Sequence, residues 1–239
     1  MRLALLLAGF TVFEAALAPR VAASEPAQAQ QVTGEITGRV ALFHKKLFGK
    51  PQRAKEVRDV VVYVTGFTSR VASGAIAELD QRGEQFAPRL LPVVAGQEVA
   101  FPNRDRIYHN VFSVSPVKSF DLGQYKSSDP PKRARFERAG LVPVYCNIHP
   151  HMIAYVVVLE NSAYALAAPD GSFRIRGVPP GRHLVHAWTP GAKAAVSQEV
   201  DVSAGAIEQA SFELTGGAIP SHRRKDGSDY PPPGSEAER

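Results

Sequence analysis

The chain has 239 residues, of which 44% are hydrophobic and 21% charged, and its formal net charge is +5. This composition predicts one or two small globular domains, and so mild an excess of basic residues does not indicate a nucleic-acid partner. Because Cys146 is the single cysteine, the chain cannot form an internal disulfide.

The first residues are typical of an export signal. Arg2 precedes an apolar run from Leu3 to Phe13, and small residues follow with A-x-A-like sites ending at Ala23 and Ala29. This order predicts a signal peptide over residues 1–29, cleaved after residue 23 or 29, and therefore a periplasmic or secreted protein. A buried N-terminal helix is the alternative. The run is too short to span a bilayer comfortably and no second long run follows, so we expect no stable membrane insertion.

After the signal, the hydrophobic pattern predicts short β-strands almost throughout. The strand-like runs are rich in Val, Phe and Tyr and are separated by Gly, Pro, Asp and Asn, as in β-sandwiches. They cover residues 36–43, 60–64, 90–94, 98–101, 110–114, 133–137, 153–159, 173–176, 183–188 and 210–214. Only residues 73–82, with Ile76 and Leu79, suggest a brief helical turn. Residues 217–239 are polar and proline-containing, which predicts a disordered tail. We therefore predict an all-β fold.

The lone cysteine lies in a segment with other candidate metal ligands, namely Cys146, His149 and Met152. A thiolate, an imidazole and a thioether are the soft ligand set of a copper electron-transfer site, which also needs a second imidazole. His109 is the natural candidate, because it opens a predicted strand just after a turn at residues 102–106, and a sandwich can bring that strand end beside the loop. In an oxidising compartment a lone thiol must be buried, paired between chains or bound to metal. Zinc is the chief competitor, since a cysteine and two histidines suit it, but zinc does not explain Met152.

Two segments resemble the ligand segments of cupredoxins, the blue-copper family that includes plastocyanin and amicyanin. The pattern Val99-x-Phe101-x-Asn103-x-Asp105 followed by His109-Asn110-Val111 is similar to the first ligand segment, and the C-x-x-H-x-x-M spacing has the loop length of amicyanin. The resemblance implies a cupredoxin Greek-key β-sandwich over residues 67–160 that binds one copper ion. It also implies that His149 serves as the electron port and that Asn110 ties the two ligand segments together. The implied copper ligands are His109, Cys146, His149 and Met152.

A second resemblance lies on either side of this unit. Asp170-Gly171-Ser172-Phe173, followed by a turn at Pro179, Pro180 and Gly181, resembles the carboxypeptidase regulatory-like domain, a transthyretin-type sandwich. The strands near residues 34–40 and 59–64 look like the first two strands of the same family. We therefore predict a second, smaller transthyretin-like β-sandwich built from residues 31–66 and 161–216, with the cupredoxin unit inserted between them. The alternative is two consecutive domains, with the N-terminal strands joined to the cupredoxin sheet.

Taken together, these features predict an exported type 1 (blue) copper protein that carries single electrons between redox partners. An acidic surface on the partner protein would fit, because Arg104, Arg106 and the basic run 132–138 could form a positive rim. Two alternatives stay open: a copper storage or delivery protein, and an extracytoplasmic β-sandwich interaction module with a structural metal site. Enzyme activity is not expected, because the sequence has no phosphate-binding loop, G-x-S-x-G elbow or H-E-x-x-H motif.

Overall fold

A computed structural model describes residues 32–46, 48–69, 74–219 and 221–232. The predicted signal peptide lies outside these residues. The described residues contain strands and no helix, which confirms the all-β class. None of them forms a helix long and apolar enough to cross a membrane. The strands are, in chain order, β1 (Gly34–His44), β2 (Gln52–Arg53), β3 (Val61–Thr65), β4 (Ile76–Glu78), β5 (Asp80–Gln81), β6 (Phe86–Ala87), β7 (Leu90–Val94), β8 (Gln97–Phe101), β9 (His109–Val114), β10 (Ser119–Tyr125), β11 (Lys132–Phe136), β12 (Gly140–Cys146), β13 (Ile153–Leu159), β14 (Tyr164–Leu166), β15 (Ser172–Val178), β16 (Gly181–Trp188), β17 (Val196–Val202) and β18 (Ile207–Gly216).

The first sandwich is built from the first three and the last five strands of the described chain. One sheet has the order β15-β1-β18, with β2 paired to β1, and the other has the order β14-β3-β16-β17. Strand β1 runs parallel to β18 over nearly its whole length, from Glu35 opposite Ile207 to His44 opposite Gly216. Alternate side chains of β1, including Ile36 and Val40, point into the apolar core between the sheets, as the period of two in a strand requires.

The second sandwich is built from the intervening strands. Its larger sheet has the order β10-β9-β12-β13-β7, its smaller sheet has the order β11-β8-β4, and β5 and β6 form a separate pair. The core between the larger and the smaller sheet includes Phe101 from β8, Val111 from β9 and Val144 from β12. Strands β9 and β12 are neighbours, with Cys146 opposite Val111. This pairing places the beginning of β9 beside the end of β12.

The two sandwiches pack against each other through a third apolar cluster. Val61 of the first sandwich lies with Leu90, Val157 and other residues of the second. The rings of Tyr155 and Trp188 meet edge to face at 5.7 Å between centroids. The strands of residues 34–65 thus pair with those of residues 164–216, while the strands between them pair among themselves. The division of the chain into two domains, one of residues 67–160 and one of residues 31–66 and 161–216, stays a prediction.

Two sequence-based expectations differ from the structure. Residues 76–78, expected in a helical turn, form β4, which pairs in parallel with β8. Ile76 is exposed and Leu79 is fully buried, so the pair does not share one helical face. Residues 221–232, expected to belong to a disordered tail, contact the second sandwich through His222, Lys225 and Tyr230. These aromatic and basic side chains find partners on a folded surface, which composition alone does not reveal.

Candidate metal centre

The strand order explains how the predicted ligands come together. His109 is the first residue of β9, and Cys146 is the last residue of the neighbouring β12. Strands β12 and β13 form a hairpin, and the loop between them contains His149 and Met152. Residues that are 37 positions apart in the chain therefore meet at one end of the larger sheet. The sheet fixes the positions of His109 and Cys146, and the short loop supplies His149 and Met152.

The thiol and both imidazoles converge on one point. The Cys146 Sγ atom lies 3.6 Å from His149 Nδ1 and 4.0 Å from His109 Nδ1, and the two Nδ1 atoms are 3.0 Å apart. Atoms bonded to one ion at about 2.0–2.3 Å lie roughly 3–4 Å from one another. His109, Cys146 and His149 form the one group of three potential metal-binding side chains found among the described residues. The donor set and its spacing therefore fit a single bound ion.

Met152 is the last residue of the same loop. Its side chain is 1% exposed and belongs to the same buried cluster as Cys146. The backbone of the loop is folded back on itself, because Met152 N–H donates to the His149 carbonyl at 3.1 Å and Cys146 N–H donates to the Met152 carbonyl at 3.3 Å. The thioether thus belongs to the same buried core as the thiol.

His149 is the most accessible of the four predicted ligands. It is partly exposed, whereas His109 and Cys146 are fully buried. Its ring lines a cleft of about 580 Å³ together with Tyr108 and Arg106. The neighbouring His151 does not join the cluster, since its Nε2 atom lies 3.5 Å from the carboxylate of Glu84 at the surface. His149 is therefore the route by which the buried cluster reaches solvent.

Asp105 orients His109, a role that the sequence did not predict. Its Oδ2 atom lies 2.9 Å from His109 Nε2, so Nδ1 is the ring nitrogen left facing the thiol. The carboxylate is itself fixed by N–H groups of Gly83 and Glu84 at 2.8 and 3.1 Å. Both of these residues have positive φ angles, which turn consecutive N–H groups toward the carboxylate. A carboxylate behind a metal-binding histidine is a common device for fixing the ring and raising its basicity.

The sequence offered only a weak signal for this role. Asp105 precedes His109 by four positions in a predicted turn, and nothing in that spacing identifies a hydrogen bond. The N–H donors come from residues 83–84, about twenty positions earlier in the chain, so the arrangement becomes visible only after folding.

The surroundings of Cys146 favour its thiolate form. Burial raises the pKa of the Cys146 thiol, but hydrogen bonds with His109 and His149 and with backbone N–H groups outweigh it and lower this pKa to about 6. Burial opposes the charged form of His109, yet Cys146 and Asp105 together raise its pKa. Burial also acts against the charged form of Asp105, but the N–H groups of the 83–84 turn and His109 lower its pKa. Because a metal needs the thiolate, a thiol that ionises near neutral pH costs little to deprotonate on binding.

Asn110 was expected to tie the two ligand segments together, and its backbone rather than its side chain makes this link. The link between the segments is made by its backbone, whose carbonyl accepts a hydrogen bond from Asn147 N–H at 3.0 Å. Its side-chain amide instead donates to Asp121 at 2.6 Å, while its buried Oδ1 atom has no hydrogen-bond partner within the described ranges. The backbone of Asn110 therefore links the two ligand segments, while its side chain bonds to β10 instead.

The predicted basic rim is partly neutralised. Arg104 lies 3.3 Å from Asp80 and 3.8 Å from Glu78, and Arg133 lies 3.2 Å from Glu98. The cations that line the cleft beside His149 are Arg106 and Arg224, with Glu84 as the acidic residue there. Positive charge near the accessible ligand therefore comes from one predicted residue and one that belongs to the C-terminal segment.

Comparisons with known proteins give weak and partial likenesses. No protein-family model matches the sequence, and no curated protein matches it. Among solved structures, a purple cupredoxin from Nitrosopumilus maritimus has a TM-score of 0.32 and 21% identity, covering 35% of this chain and 99% of that one. A Cu(I) form of a mutant of amicyanin has a TM-score of 0.33 and 26% identity, covering 41% and 98%.

The copper-containing nitrite reductase NirK from Thermus scotoductus has a TM-score of 0.35 and 20% identity, covering 41% of this chain. The match spans only 25% of that enzyme's length. The reported neighbours are thus cupredoxins and a copper enzyme. Because each of these TM-scores lies below 0.5, the likenesses carry no argument about function, which depends on the site itself.

Proposed function

We propose that the chain is an extracytoplasmic type 1 copper protein that carries single electrons between redox partners. The observation that carries the proposal is the convergence of the Cys146 thiol and the His109 and His149 Nδ1 atoms within 3.0–4.0 Å of one another, at the loop that also contains the buried Met152. Two imidazoles and a thiolate with a weak thioether are the ligands of such a site. Copper bound there would supply a one-electron couple between Cu(I) and Cu(II).

The support for copper over zinc is the fourth side chain. A zinc site would be complete with sulfur, nitrogen and oxygen ligands, and a buried thioether adds nothing to it. The rigidity of the frame also favours redox cycling, because His109 and Cys146 are the end residues of paired strands and Asp105 fixes one ring. A site that rearranges little on changing charge is suited to electron transfer.

The environment of the cluster favours a carrier over the alternatives. A storage or delivery protein must release its metal, whereas two of the proposed ligands have no exposed surface. An oxidase would need further metal sites, and the described residues offer one group of potential ligands. His149, partly exposed beside its cleft, gives an outside partner access to the buried thiolate.

The proposed partner is a redox protein with an acidic docking surface. Arg106 and Arg224 line the cleft beside His149, against the single carboxylate of Glu84. Such a local excess of positive charge would steer a negatively charged donor or acceptor toward the exposed ligand. The rate of electron transfer should therefore fall as ionic strength rises, and an unchanged rate would exclude steering. The export predicted from residues 1–29 would put this reaction in the periplasm or outside the cell.

The test is reconstitution of the metal-free protein with Cu(II). We expect one ion per chain, an intense visible thiolate-to-copper band and a reversible one-electron couple. Cys146→Ala should abolish the band, and Met152→Leu should retain it with a changed reduction potential. His151→Ala is the matched control, because this neighbouring imidazole lies outside the cluster and its loss should leave the spectrum unchanged. A colourless, redox-silent complex would instead favour a structural metal site.

A further inference from the structure

The C-terminal segment, residues 221–232, lies against the loop that contains the proposed ligands. The Tyr230 hydroxyl donates a hydrogen bond to the carbonyl of Cys146 at 2.5 Å. The backbone N–H of Lys225 donates to Asn147 Oδ1 at 2.8 Å. The ring of His222 stacks on Tyr145, with 4.1 Å between centroids and 26° between planes. The segment thus contacts three consecutive residues centred on the proposed thiolate ligand.

The same segment also reaches the strand that begins with His109. Lys225 Nζ forms an ion pair with Asp121 at 2.5 Å, and Asp121 accepts a hydrogen bond from the side chain of Asn110 at 2.6 Å. Asn110 directly follows His109, and its carbonyl accepts the N–H of Asn147. The segment therefore contacts Cys146 directly, and through Asp121 it reaches Asn110, the residue next to His109.

Loss of the Tyr230 hydrogen bond should cost more free energy than loss of the Lys225 ion pair. Cys146 is buried while the segment is docked, so in Tyr230→Phe its carbonyl would lose a hydrogen bond that water does not readily replace. The Tyr230 hydroxyl is an O–H donor, so the hydrogen bond to this carbonyl can form at neutral pH. The pair between Lys225 and Asp121 is about 40% exposed on both sides and contributes less, as exposed ion pairs do.

We propose that residues 221–232 form a clamp on the metal loop, in which Tyr230 and Lys225 are positioning residues for Cys146 and His109. This inference rests on the proposed metal site and adds to it a part of the chain outside the ligand segments. The clamp limits movement of the loop and thereby slows release of the metal. By thermodynamic linkage, metal binding must strengthen docking of the segment by the same factor as docking strengthens metal binding.

The first experiment measures release of copper to a chelator from the full-length protein. Tyr230→Phe should speed release about fivefold, the effect of one net hydrogen bond, and Lys225→Met about twofold. Tyr164→Phe and Lys50→Met, which make the same chemical changes in the first sandwich, should behave as the unaltered protein. The visible band should shift in Tyr230→Phe and not in Tyr164→Phe. Release rates and spectra equal to those of the controls would overturn the clamp.

The second experiment measures docking of the segment directly. Trypsin can cleave after Arg223, Arg224 and Lys225, and a docked segment resists cleavage. Adding Cu(II), or Zn(II) as a redox-silent probe of the same ligands, should slow cleavage there, and less so in Tyr230→Phe. Cleavage at the same rate with and without both ions would contradict the clamp, even if the copper band is present. Metal-dependent protection without a visible band would support the clamp while rejecting the type 1 copper proposal.

Discussion

The two sandwiches differ in what they bury. The apolar core of the first consists of aliphatic and aromatic side chains, and Asn161, His183 and Thr189 are polar residues buried beside it. The core of the second includes Cys146 and Met152, and buried polar groups accompany it, among them Gln81 and Asn103. Both of these side chains donate within the fold: Gln81 Nε2 lies 2.7 Å from the Tyr125 hydroxyl, and Asn103 Nδ2 lies 2.9 Å from the Tyr125 carbonyl. Burying polar groups costs stability unless they are hydrogen-bonded, and these hydrogen bonds offset that cost beside the cluster.

A buried histidine in each sandwich makes the contrast specific. In the first, His183 Nε2 donates to the Pro179 carbonyl, 2.8 Å away, and the ring packs edge to face on Phe67. In the second, His109 lies between a carboxylate on one side of its ring and a thiol and a second imidazole on the other. Burial of a histidine is therefore no sign of a metal site by itself. A metal site is indicated when one ring nitrogen is fixed by a hydrogen bond and the other faces further potential metal ligands.

Replacing each of these histidines by alanine should give the largest difference between the sandwiches. His109→Ala removes a proposed ligand and should abolish the visible copper band, lowering copper affinity by more than the ~10–100-fold that loss of an outer partner costs. His183→Ala should lower the stability of the first sandwich and leave the band in place. Absorption spectra of both variants after addition of Cu(II) check this. An intact band in His109→Ala would remove this residue from the site.

Asp105→Asn should have the next largest effect. The substitution keeps the shape of the side chain but removes its charge and replaces one acceptor by an N–H₂ group. In one orientation that group would face Gly83 N–H, which now donates to Oδ1. In the other it would face both Glu84 N–H and the ring of His109, which now meet Oδ2. We expect copper affinity to fall about 10–100-fold and the reduction potential to rise, since a negative charge that stabilises Cu(II) is lost.

Its control is Asp201→Asn in the first sandwich, where an exposed carboxylate lies 3.9 Å from Arg182. Competition with a chelator and voltammetry of both variants give the two readouts. If Asp105→Asn binds copper as tightly as Asp201→Asn does, the carboxylate has no part in fixing the ring.

The fold class and the candidate ligands could be predicted because their signals are local. A strand buries alternate residues, so a run such as 36–43 identifies itself within a few positions. The chemistry of Cys146, His149 and Met152 is likewise contained in seven residues. The choice of His109 as the fourth member needed only the rule that a sandwich brings strand ends together, and the structure places its Nδ1 atom 4.0 Å from the thiol.

The features that the sequence did not predict all depend on distant contacts. The spacing of Ile76 and Leu79 suits a helix, but β4 forms there because its backbone pairs with β8. Asp105 gains its role from N–H groups about twenty residues earlier in the chain. The C-terminal segment has the composition of a disordered tail, yet the Tyr230 hydroxyl meets a carbonyl at a strand end 84 positions away. Composition cannot report a partner that exists only after folding.

The pH dependence of the metal-free protein distinguishes the thiol environment from an ordinary buried cysteine. The pKa of Cys146 is lowered from 9.0 to about 6, so ultraviolet absorption of the thiolate should reach half its maximum near pH 6. A group whose pKa is depressed on folding stabilises the native state above its unfolded pKa. This part of the stability should therefore be complete above about pH 9 and decline as the pH falls from 9 through 6.

The matched variant is His149→Gln, which removes one of the two imidazoles beside the thiol while keeping a side chain of similar size. The thiolate midpoint should move upward toward the ordinary value, since one stabilising hydrogen bond is lost. A midpoint that stays near pH 6 would show that this imidazole does not act on the thiol. Denaturant titrations of the unaltered protein and of Cys146→Ala across about pH 6–9 measure the accompanying change in stability.

The smallest effect on the site should come from damage to the first core. Phe212 is 3% exposed and packs on Phe173 at 6.1 Å between ring centroids, so Phe212→Ala should cost about 3–5 kcal/mol of stability. The copper band and reduction potential should remain unchanged, because the ligands are fixed by strands β9 and β12 of the second sandwich. Phe136→Ala, in the second core, should cost a similar amount and also broaden the band. If Phe212→Ala alters the spectrum, the packing of Tyr155 on Trp188 transmits strain between the sandwiches and the two are one cooperative unit.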